Sequence, residues 1–241
     1  MIKAVFFDLD NTLTDFMRMK EMAVDAAIHG MVDAGLKLAP EEARSKIYAV
    51  YDREGIEFQQ VFDHFLKDEL GEIDHKILAA AIVAYRRVRE SALVLYPHVQ
   101  LTLVELAKRG LKLAVVTDAP KTQAWLRLCH LNLHHIFDLV ITYEDTLERK
   151  PSRAPFVAAL AGLGLHPEEV LMVGDWPERD MVGAQNVGIR TAFARYGNIF
   201  RAETSGADFE IDDVYELVDI VDRLNAVEKG EVTAEKRGDG D

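Results

Sequence analysis

The amino-acid sequence predicts a doubly wound, parallel α/β sheet with a four-helix domain inserted after its first strand. The run Ala4–Phe7 is apolar at every position, which is typical of a strand buried on both faces. Residues 15–91 show helical periodicity and no convincing strand pattern. From residue 92 onward, strand-like and helical segments alternate. Such alternation indicates a parallel sheet with right-handed crossovers.

The insertion is predicted to contain four helices. Apolar residues at helical spacing define a first helix at 16–36, and Pro40 followed by two acids begins a second, which ends near Gly55. A third helix is predicted at about 57–70 and a fourth at about 75–91. An ordinary βα loop has only a few residues, so this length predicts a separate helical domain.

The second half of the chain supplies the rest of the sheet. Further strands are predicted at 111–117, 138–142, 170–174 and 190–194, with an edge strand at 208–211. Helices are predicted at 96–110, 121–131, 152–162, 181–187 and 214–227. The charged segment 228–241 is predicted to be a disordered tail. The sheet domain is therefore expected to comprise residues 1–14 and 92–227, and the helical domain residues 15–91.

Composition and charge exclude several classes of function. Hydrophobic residues make up 49% of the 241 residues, which supports a sizeable core. The chain has 41 acidic and 28 basic residues and a formal net charge of −13, which disfavours a nucleic-acid binder because that class needs a basic face. No signal peptide is visible, and no apolar run reaches the roughly 18 residues that span a bilayer. We therefore expect a cytoplasmic protein with neither a nucleic-acid nor a membrane partner.

Several predicted strands end in residues that carry chemistry. They are Asp8 and Asp10 after the first strand, Thr117 and Asp118 after the second, Thr142 after the third, and Asp175 and Asp180 after the fourth. Lys150 lies in a loop between two of these strands. The carboxyl ends of parallel strands share one edge, where open α/β sheets bind ligands. Acids and threonines also cap helices and form turns, but a group of this size around one crevice exceeds what capping explains.

The chemistry of this group indicates phosphoryl transfer. Carboxylates gathered at one place repel each other unless a cation lies between them, and oxygen-only ligands suit Mg²⁺. Such an ion, together with Lys150 and the Thr117 hydroxyl, can hold a phosphoryl group and neutralise its oxygens. One carboxylate can then be a nucleophile that forms an aspartyl phosphate. A second carboxylate two residues on can protonate the leaving oxygen and deprotonate the attacking water.

With these motifs the sequence resembles the haloacid dehalogenase superfamily of phosphohydrolases. Four ordered motifs in residues 1–14 and 92–225 carry the resemblance: Asp8-Leu9-Asp10-Asn11-Thr12-Leu13, the apolar strand ending at Thr117, Lys150-Pro151, and Gly174-Asp175-Trp176-Pro177-Glu178-Arg179-Asp180. The resemblance implies a Rossmann-like core, with the helical insertion as a C1 cap that closes over the site. It also implies a Mg²⁺ cofactor and hydrolysis of a small phosphorylated metabolite, such as phosphoglycolate or a sugar phosphate.

The resemblance implies a role for each acid. Asp8 would be the nucleophile and a metal ligand. Asp10 would be the general acid and base, and its backbone carbonyl would bind the metal. Asp175 would be the third protein ligand of the metal. Asp180 would lie behind these ligands and reach a metal-bound water or Lys150.

The resemblance also implies a phosphate-binding group. Thr117 and the backbone amide of Asp118 would bind the phosphate, and Lys150 would bind it while steadying Asp8. Three residues depart from the family pattern, one of them Arg153, which stands where Pro is frequent after Lys150-Pro151. Asp118 stands where Asn is common and adds a negative charge near the phosphate, and Trp176 stands where Ser or Thr is frequent.

Three alternatives to a phosphatase remain open. A haloacid dehalogenase is disfavoured by Asp10, because a halide leaving group needs no acid and the family's dehalogenases lack this second aspartate. A phosphomutase uses the same two aspartates. A receiver-like switch, phosphorylated on aspartate without turnover, is disfavoured by the Asp8-x-Asp10 pair and by the helical insertion.

The sequence does not identify the substrate or the oligomeric state. Five cations of the helical insertion are candidate substrate contacts: Arg18, Lys20, Arg86, Arg87 and Arg89. A carboxylate or a second phosphate of a small substrate would pair with such a cation. For each of the five, however, a solvated helix face is the expected setting.

Overall fold

The predicted parallel sheet is present in the computed structural model, which describes residues 1–199 and 201–228. In this part of the chain six strands form one sheet, in the order β3-β2-β1-β4-β5-β6, and every neighbouring pair is parallel. The strands are β1 (Ala4–Phe7), β2 (Lys112–Val116), β3 (Leu139–Ile141), β4 (Val170–Gly174), β5 (Arg190–Ala194) and β6 (Phe209–Ile211). The fold class predicted from the sequence is confirmed.

The predicted helices occur in order along the chain, and one short helix that was not predicted, Tyr143–Thr146, lies among them. Residues 14–94 contain α1 (Phe16–Ala34), α2 (Pro40–Glu54), α3 (Val61–Leu70) and α4 (His75–Ala92). The later helices are α5 (Val99–Lys108), α6 (Lys121–His130), α7 (Tyr143–Thr146), α8 (Arg153–Leu163), α9 (Val182–Gln185) and α10 (Glu216–Glu228). A π-helical turn, Pro177–Met181, precedes α9, so the helix predicted at 181–187 is shorter than expected. Apart from residue 228, the predicted disordered tail lies outside the described residues.

β1 is the centre of the sheet. Its four side chains are fully buried, as expected for a strand that is covered on both faces. Phe7, its last residue, lies opposite Val115 of β2 and Val173 of β4. The strands therefore end level with one another, and the residues that follow them emerge side by side.

Contacts divide the chain into two compact units. The sheet unit comprises Met1–Leu13, Leu95–Asp118 and the chain from Leu133 onward, and the helical unit comprises Thr14–Val94 and Ala119–Asn132. The partition predicted from the sequence placed residues 119–132 with the sheet. In the structure α6 packs within the helical unit, where Arg127 pairs with Glu57.

The helical unit has a core of its own. Buried apolar residues from all four helices of the insertion form one cluster, which includes Met31, Ile47, Phe65 and Ala81. Gly30 of α1 faces α4, where a Cβ atom would lie 3.0 Å from the carbonyl oxygen of Ala80. The missing side chain at this position lets the two long helices approach closely.

Within residues 1–199 and 201–228, no helix combines the length and the hydropathy that crossing a bilayer requires.

Candidate active site

The carboxyl end of β1 lies at the point where the strand order reverses, since β2 is its neighbour on one side and β4 on the other. In open α/β sheets this point is the usual ligand crevice. Asp8 follows β1, and its backbone amide donates to the carbonyl oxygen of Val173 at 2.9 Å. Asp175 follows β4 directly. The two predicted metal ligands therefore leave neighbouring strands at the same level.

Lys150 joins the predicted residues to one another. Its ammonium donates to Asp8 Oδ1 at 2.6 Å, to Asp180 Oδ1 at 2.6 Å and to the carbonyl oxygen of Val116 at 3.0 Å. An ammonium has three protons, so these three acceptors satisfy it. Burial alone would lower the pKa of Lys150, but the charges of Asp180 and Asp8 outweigh it and raise that pKa. Lys150 therefore stays charged although its side chain is only 3% exposed.

Three carboxylates form an acidic cluster beside this lysine. Asp8, Asp175 and Asp180 each offer an oxygen, and these oxygens lie within 4.8 Å of one another. Burial raises the pKa of Asp8 to about 7; Lys150 opposes that shift, whereas Asp180 and Asp10 add to it. Burial and the charges of Asp8 and Asp180 also raise the pKa of Asp175 well above its ordinary range. Three buried acids exceed the charge of one lysine, and the oxygen-only donor set fits a hard divalent cation such as Mg²⁺.

Asp180 is held by donors of the protein on both carboxylate oxygens. Lys150 donates to Oδ1, and the backbone amide of Trp176 donates to Oδ2 at 3.1 Å. A Cβ atom at Gly174 would overlap the Asp180 carboxylate, so only glycine fits at the end of β4. These contacts agree with a role behind the metal ligands, which stays a prediction.

The loop after β1 is fixed from several sides. Asn11 has a φ of 59°, in the left-handed region that Asn tolerates better than most residues, and this turns the chain just after Asp10. The Tyr196 hydroxyl donates to the carbonyl oxygen of Thr12 at 2.9 Å, and the Thr12 hydroxyl donates to Asp175 Oδ1 at 3.2 Å. A Cβ atom at Gly197 would overlap the carbonyl oxygen of Asn11. The position of Asp10 is therefore set by β1 and by the turn after β5.

The two predicted threonines have different surroundings. Thr117 is buried at the end of β2, and its backbone amide donates to the carbonyl oxygen of Ile141 at 3.0 Å. Thr142 was predicted to join the crevice, but it caps α7 instead. Its hydroxyl donates to Asp145 Oδ2 at 2.6 Å, and its backbone amide donates to the same oxygen at 2.9 Å. The capping explanation is therefore sufficient for Thr142.

Asp118, one of the residues that depart from the family pattern, has a partner that the sequence did not reveal. Arg179 Nη1 donates to Asp118 Oδ2 at 3.1 Å. The Arg179 guanidinium carbon lies 3.7 Å from the ring centroid of Trp176. The sequence feature that could have indicated this stacking is the spacing of Trp176 and Arg179, which lie three residues apart after the end of a strand.

The candidate substrate contacts fall into two groups. Arg18, Arg86 and Arg87 are not buried, as expected for solvated helix faces. Lys20 was expected to be solvated but is buried, with its ammonium 4.3 Å from the ring centroid of Tyr51. Within the helical unit, a cavity of about 390 Å³ is lined by residues that include Lys20 and Arg89.

Comparison with known proteins identifies the family. A family model described as haloacid dehalogenase-like hydrolase matches residues 2–188. The chain belongs to the haloacid dehalogenase-like hydrolases. This confirms the resemblance drawn from the four motifs.

Relatives and solved structures of this hydrolase family match nearly the whole chain. A glyceraldehyde 3-phosphate phosphatase of Methanocaldococcus jannaschii is 37% identical over 227 residues, which cover 93% of this chain and 99% of the relative. A pyrophosphatase PpaX of Bacillus cereus is 30% identical over 230 residues, 93% of this chain and 98% of the relative. The crystal structure of a HAD phosphatase from Thermococcus onnurineus is 28% identical, with a TM-score of 0.64, and the match covers 91% of this chain and 98% of that one.

Proposed function

We propose that this hydrolase is a Mg²⁺-dependent phosphatase that hydrolyses a small phosphorylated metabolite through an aspartyl phosphate on Asp8. The observation that carries the proposal is the buried contact between Lys150 Nζ and Asp8 Oδ1, 2.6 Å long and inside an acidic cluster at the switch point of the sheet. A carboxylate held by a lysine beside a cation site is suited to attack phosphorus, because the nearby positive charge neutralises the phosphate oxygens.

The metal ligands in this proposal are Asp8, Asp175 and the backbone carbonyl of Asp10. When bound, Mg²⁺ supplies positive charge that offsets the phosphate and keeps the carboxylates ionised. Asp180 holds Lys150 from behind. Thr117 and the backbone amide of Asp118 bind the phosphate oxygens, and the nearby positive charge of Lys150 neutralises them.

The side chains of the protein carry the two chemical steps. The Asp8 carboxylate attacks phosphorus and displaces the leaving alkoxide, to which Asp10 donates a proton. Asp10, now ionised, takes a proton from the water that attacks the aspartyl phosphate. Inorganic phosphate leaves and Asp8 is regenerated. The loop after β1 supports these separate roles for Asp8 and Asp10, because it fixes Asp10 two residues beyond the nucleophile.

The names of the relatives direct the choice of substrates. Glyceraldehyde 3-phosphate is the first substrate that we propose to test, followed by pyrophosphate, phosphoglycolate and a panel of sugar phosphates. All are small phosphorylated metabolites, and with such substrates we propose that the protein acts in the cytoplasm.

The test is release of inorganic phosphate from this panel by the purified protein in MgCl₂. We expect Mg²⁺-dependent release from at least one three-carbon substrate, loss of release with EDTA, and recovery when Mg²⁺ is restored. No release from any substrate, combined with a stable phosphoprotein after incubation with acetyl phosphate, would contradict hydrolysis and favour the switch. Transfer of the phosphoryl group to a second position of the substrate would favour a mutase, and chloride release from a chloroacid would favour a dehalogenase.

A further inference from the structure

Asp118 lies between two parts of the sheet unit. Its Oδ1 accepts from the Lys150 backbone amide at 2.9 Å, and its Oδ2 accepts from Arg179 Nη1 at 3.1 Å. The Asp118 side chain is 14% exposed. A carboxylate so placed holds its geometry because both oxygens are bonded and one partner is charged. Asp118 therefore connects the segment of Lys150 with the turn that follows β4.

Arg179 is held in place by Trp176. Trp176 precedes Pro177 and is extended, with φ −113° and ψ 99°, as a residue before proline usually is. The chain then turns back in the π-helical turn, where the Arg179 backbone amide donates to the carbonyl oxygen of Trp176 at 3.1 Å. This turn lays the planar guanidinium against the indole ring, a stacking that arginine makes better than lysine.

The charge of Asp118 explains why such a partner is needed. In the proposed function the end of β2 binds phosphate, and a carboxylate directly after Thr117 repels that anion. An asparagine at this position would accept the Lys150 amide without adding charge. Arg179 cancels the charge of Asp118 and leaves its bond to the Lys150 backbone intact.

We propose that Arg179 is a positioning residue of this phosphatase, which acts through Asp118. It orients the carboxylate that holds the Lys150 segment, and it cancels the negative charge beside the phosphate-binding end of β2. Trp176 keeps the guanidinium in place. Two of the three departures from the family pattern, Asp118 and Trp176, thus belong to one arrangement. The inference rests on the proposed function, because phosphate is the anion that an uncompensated Asp118 would repel.

The test compares Arg179→Gln, Asp118→Asn and the double variant with the wild type. Arg149→Gln is the matched control, since Arg149 is exposed, precedes Lys150 and stacks on Tyr143 at 4.7 Å. For each protein, calorimetry gives the Kd of inorganic phosphate in MgCl₂, and assays with p-nitrophenyl phosphate give kcat and KM.

We expect Arg179→Gln to weaken phosphate binding and to raise KM by about tenfold, with less than about a threefold change in kcat, because the loss is one of anion binding. The double variant is expected to recover most of that loss, since it also removes the charge that Arg179 cancels. Arg149→Gln is expected within about twofold. A double variant as weak as Arg179→Gln would overturn the inference, and so would an equal loss in Arg149→Gln.

Two further outcomes separate this inference from the proposed function. A wild type that binds phosphate but turns over no phosphate ester contradicts the function, while the binding constants still test Arg179. A wild type that binds no phosphate overturns the inference.

If Arg179→Gln does not fold, Arg179→Lys is compared alone and in combination with Asp118→Asn. We expect weakening only where Asp118 is retained, because lysine lacks the planar fork, and equal effects with and without Asp118→Asn would overturn the inference.

Discussion

The ammonium of Lys150 and the carboxylate of Asp8 form a buried ion pair, with 2.6 Å between Nζ and Oδ1. The same ammonium lies 2.6 Å from Asp180 Oδ1. A lysine shared by two buried acids is costly to remove, because the acids would lose the positive charge that offsets their burial. The pair is therefore both a structural element and, in the proposed function, part of the phosphate site.

Replacing Lys150 by Met should reduce stability and activity together. We expect the free energy of unfolding to fall by about 3 kcal/mol, the usual cost of breaking a buried pair, and kcat to fall by at least about a hundredfold. Urea unfolding and phosphate release measure the two effects. Adding Asp180→Asn should recover part of the stability but none of the activity. Recovery of activity in that double variant would show that the lysine acts only on folding.

Replacing Asp8 by Asn should abolish hydrolysis and keep the fold. The amide has the size of the carboxylate but is a poor nucleophile, so we expect kcat to fall by at least about ten-thousandfold. Steady-state phosphate release gives kcat, and circular dichroism checks the fold. As a control, Asp33→Asn changes a solvent-accessible acid of the helical unit and should leave kcat unchanged. Wild-type turnover by the Asp8 variant would exclude the aspartyl-phosphate mechanism.

Replacing Asp10 by Asn should separate metal binding from turnover. If the metal is bound by the backbone carbonyl of residue 10, the Kd of Mg²⁺ should change by less than about threefold. Turnover should fall by about a hundredfold or more, because the leaving alkoxide then receives no proton. Calorimetry with Mg²⁺ and a kcat measurement test the two halves. The loss should be smaller for substrates with better leaving groups, and a loss independent of the leaving group would remove Asp10 from proton transfer.

Replacing Asp138 by Asn tests a link between two strands far from the proposed chemistry. Asp138 accepts from Lys112 Nζ at 2.8 Å and from the Leu113 backbone amide at 2.9 Å. Burial opposes the shift, but these two donors lower the pKa of Asp138 below its ordinary value. A lowered pKa stabilises the fold above the unfolded-state pKa, and this contribution is lost as the pH falls through the folded-state value.

We therefore expect the Asp138→Asn variant to lose up to about 1 kcal/mol of unfolding free energy at neutral pH, because solvent screens this exposed pair, and the difference from the wild type to shrink as the pH falls below 3.8, the ordinary pKa of an aspartate. Urea unfolding at several pH values measures both quantities. The Asp33→Asn variant again serves as the control. A difference that stays constant as the pH falls below 3.8 would assign the effect to packing rather than to charge.

The sheet could be predicted from the sequence because its strands are short apolar runs with abrupt ends. The bounds of β1, β4 and β5 match the prediction to the residue. The meeting of Asp8, Lys150 and Asp175 also followed, since parallel strands bring their carboxyl ends to one edge.

What the sequence did not reveal depends on contacts between distant residues. Lys20 lies in an ordinary amphipathic helix, and only the fold brings Tyr51 under its ammonium. The sequence pattern placed α6 in the sheet domain, but in the structure the ion pair between Arg127 and Glu57 links α6 to the helical unit. In the sequence Arg179 looks like a surface charge. Only the fold brings Asp118, 61 positions away along the chain, into contact with it.

The contact between Asp118 and Arg179 has a consequence for how this sequence could arise. An ancestor with Asn at position 118 would tolerate Arg179, because an amide oxygen can accept from a guanidinium. An ancestor that gained Asp118 first would have carried an unbalanced charge beside the proposed phosphate site. The easier evolutionary route therefore acquires Arg179 before Asp118. Once both are present, selection should act against a mutation that removes Arg179 alone.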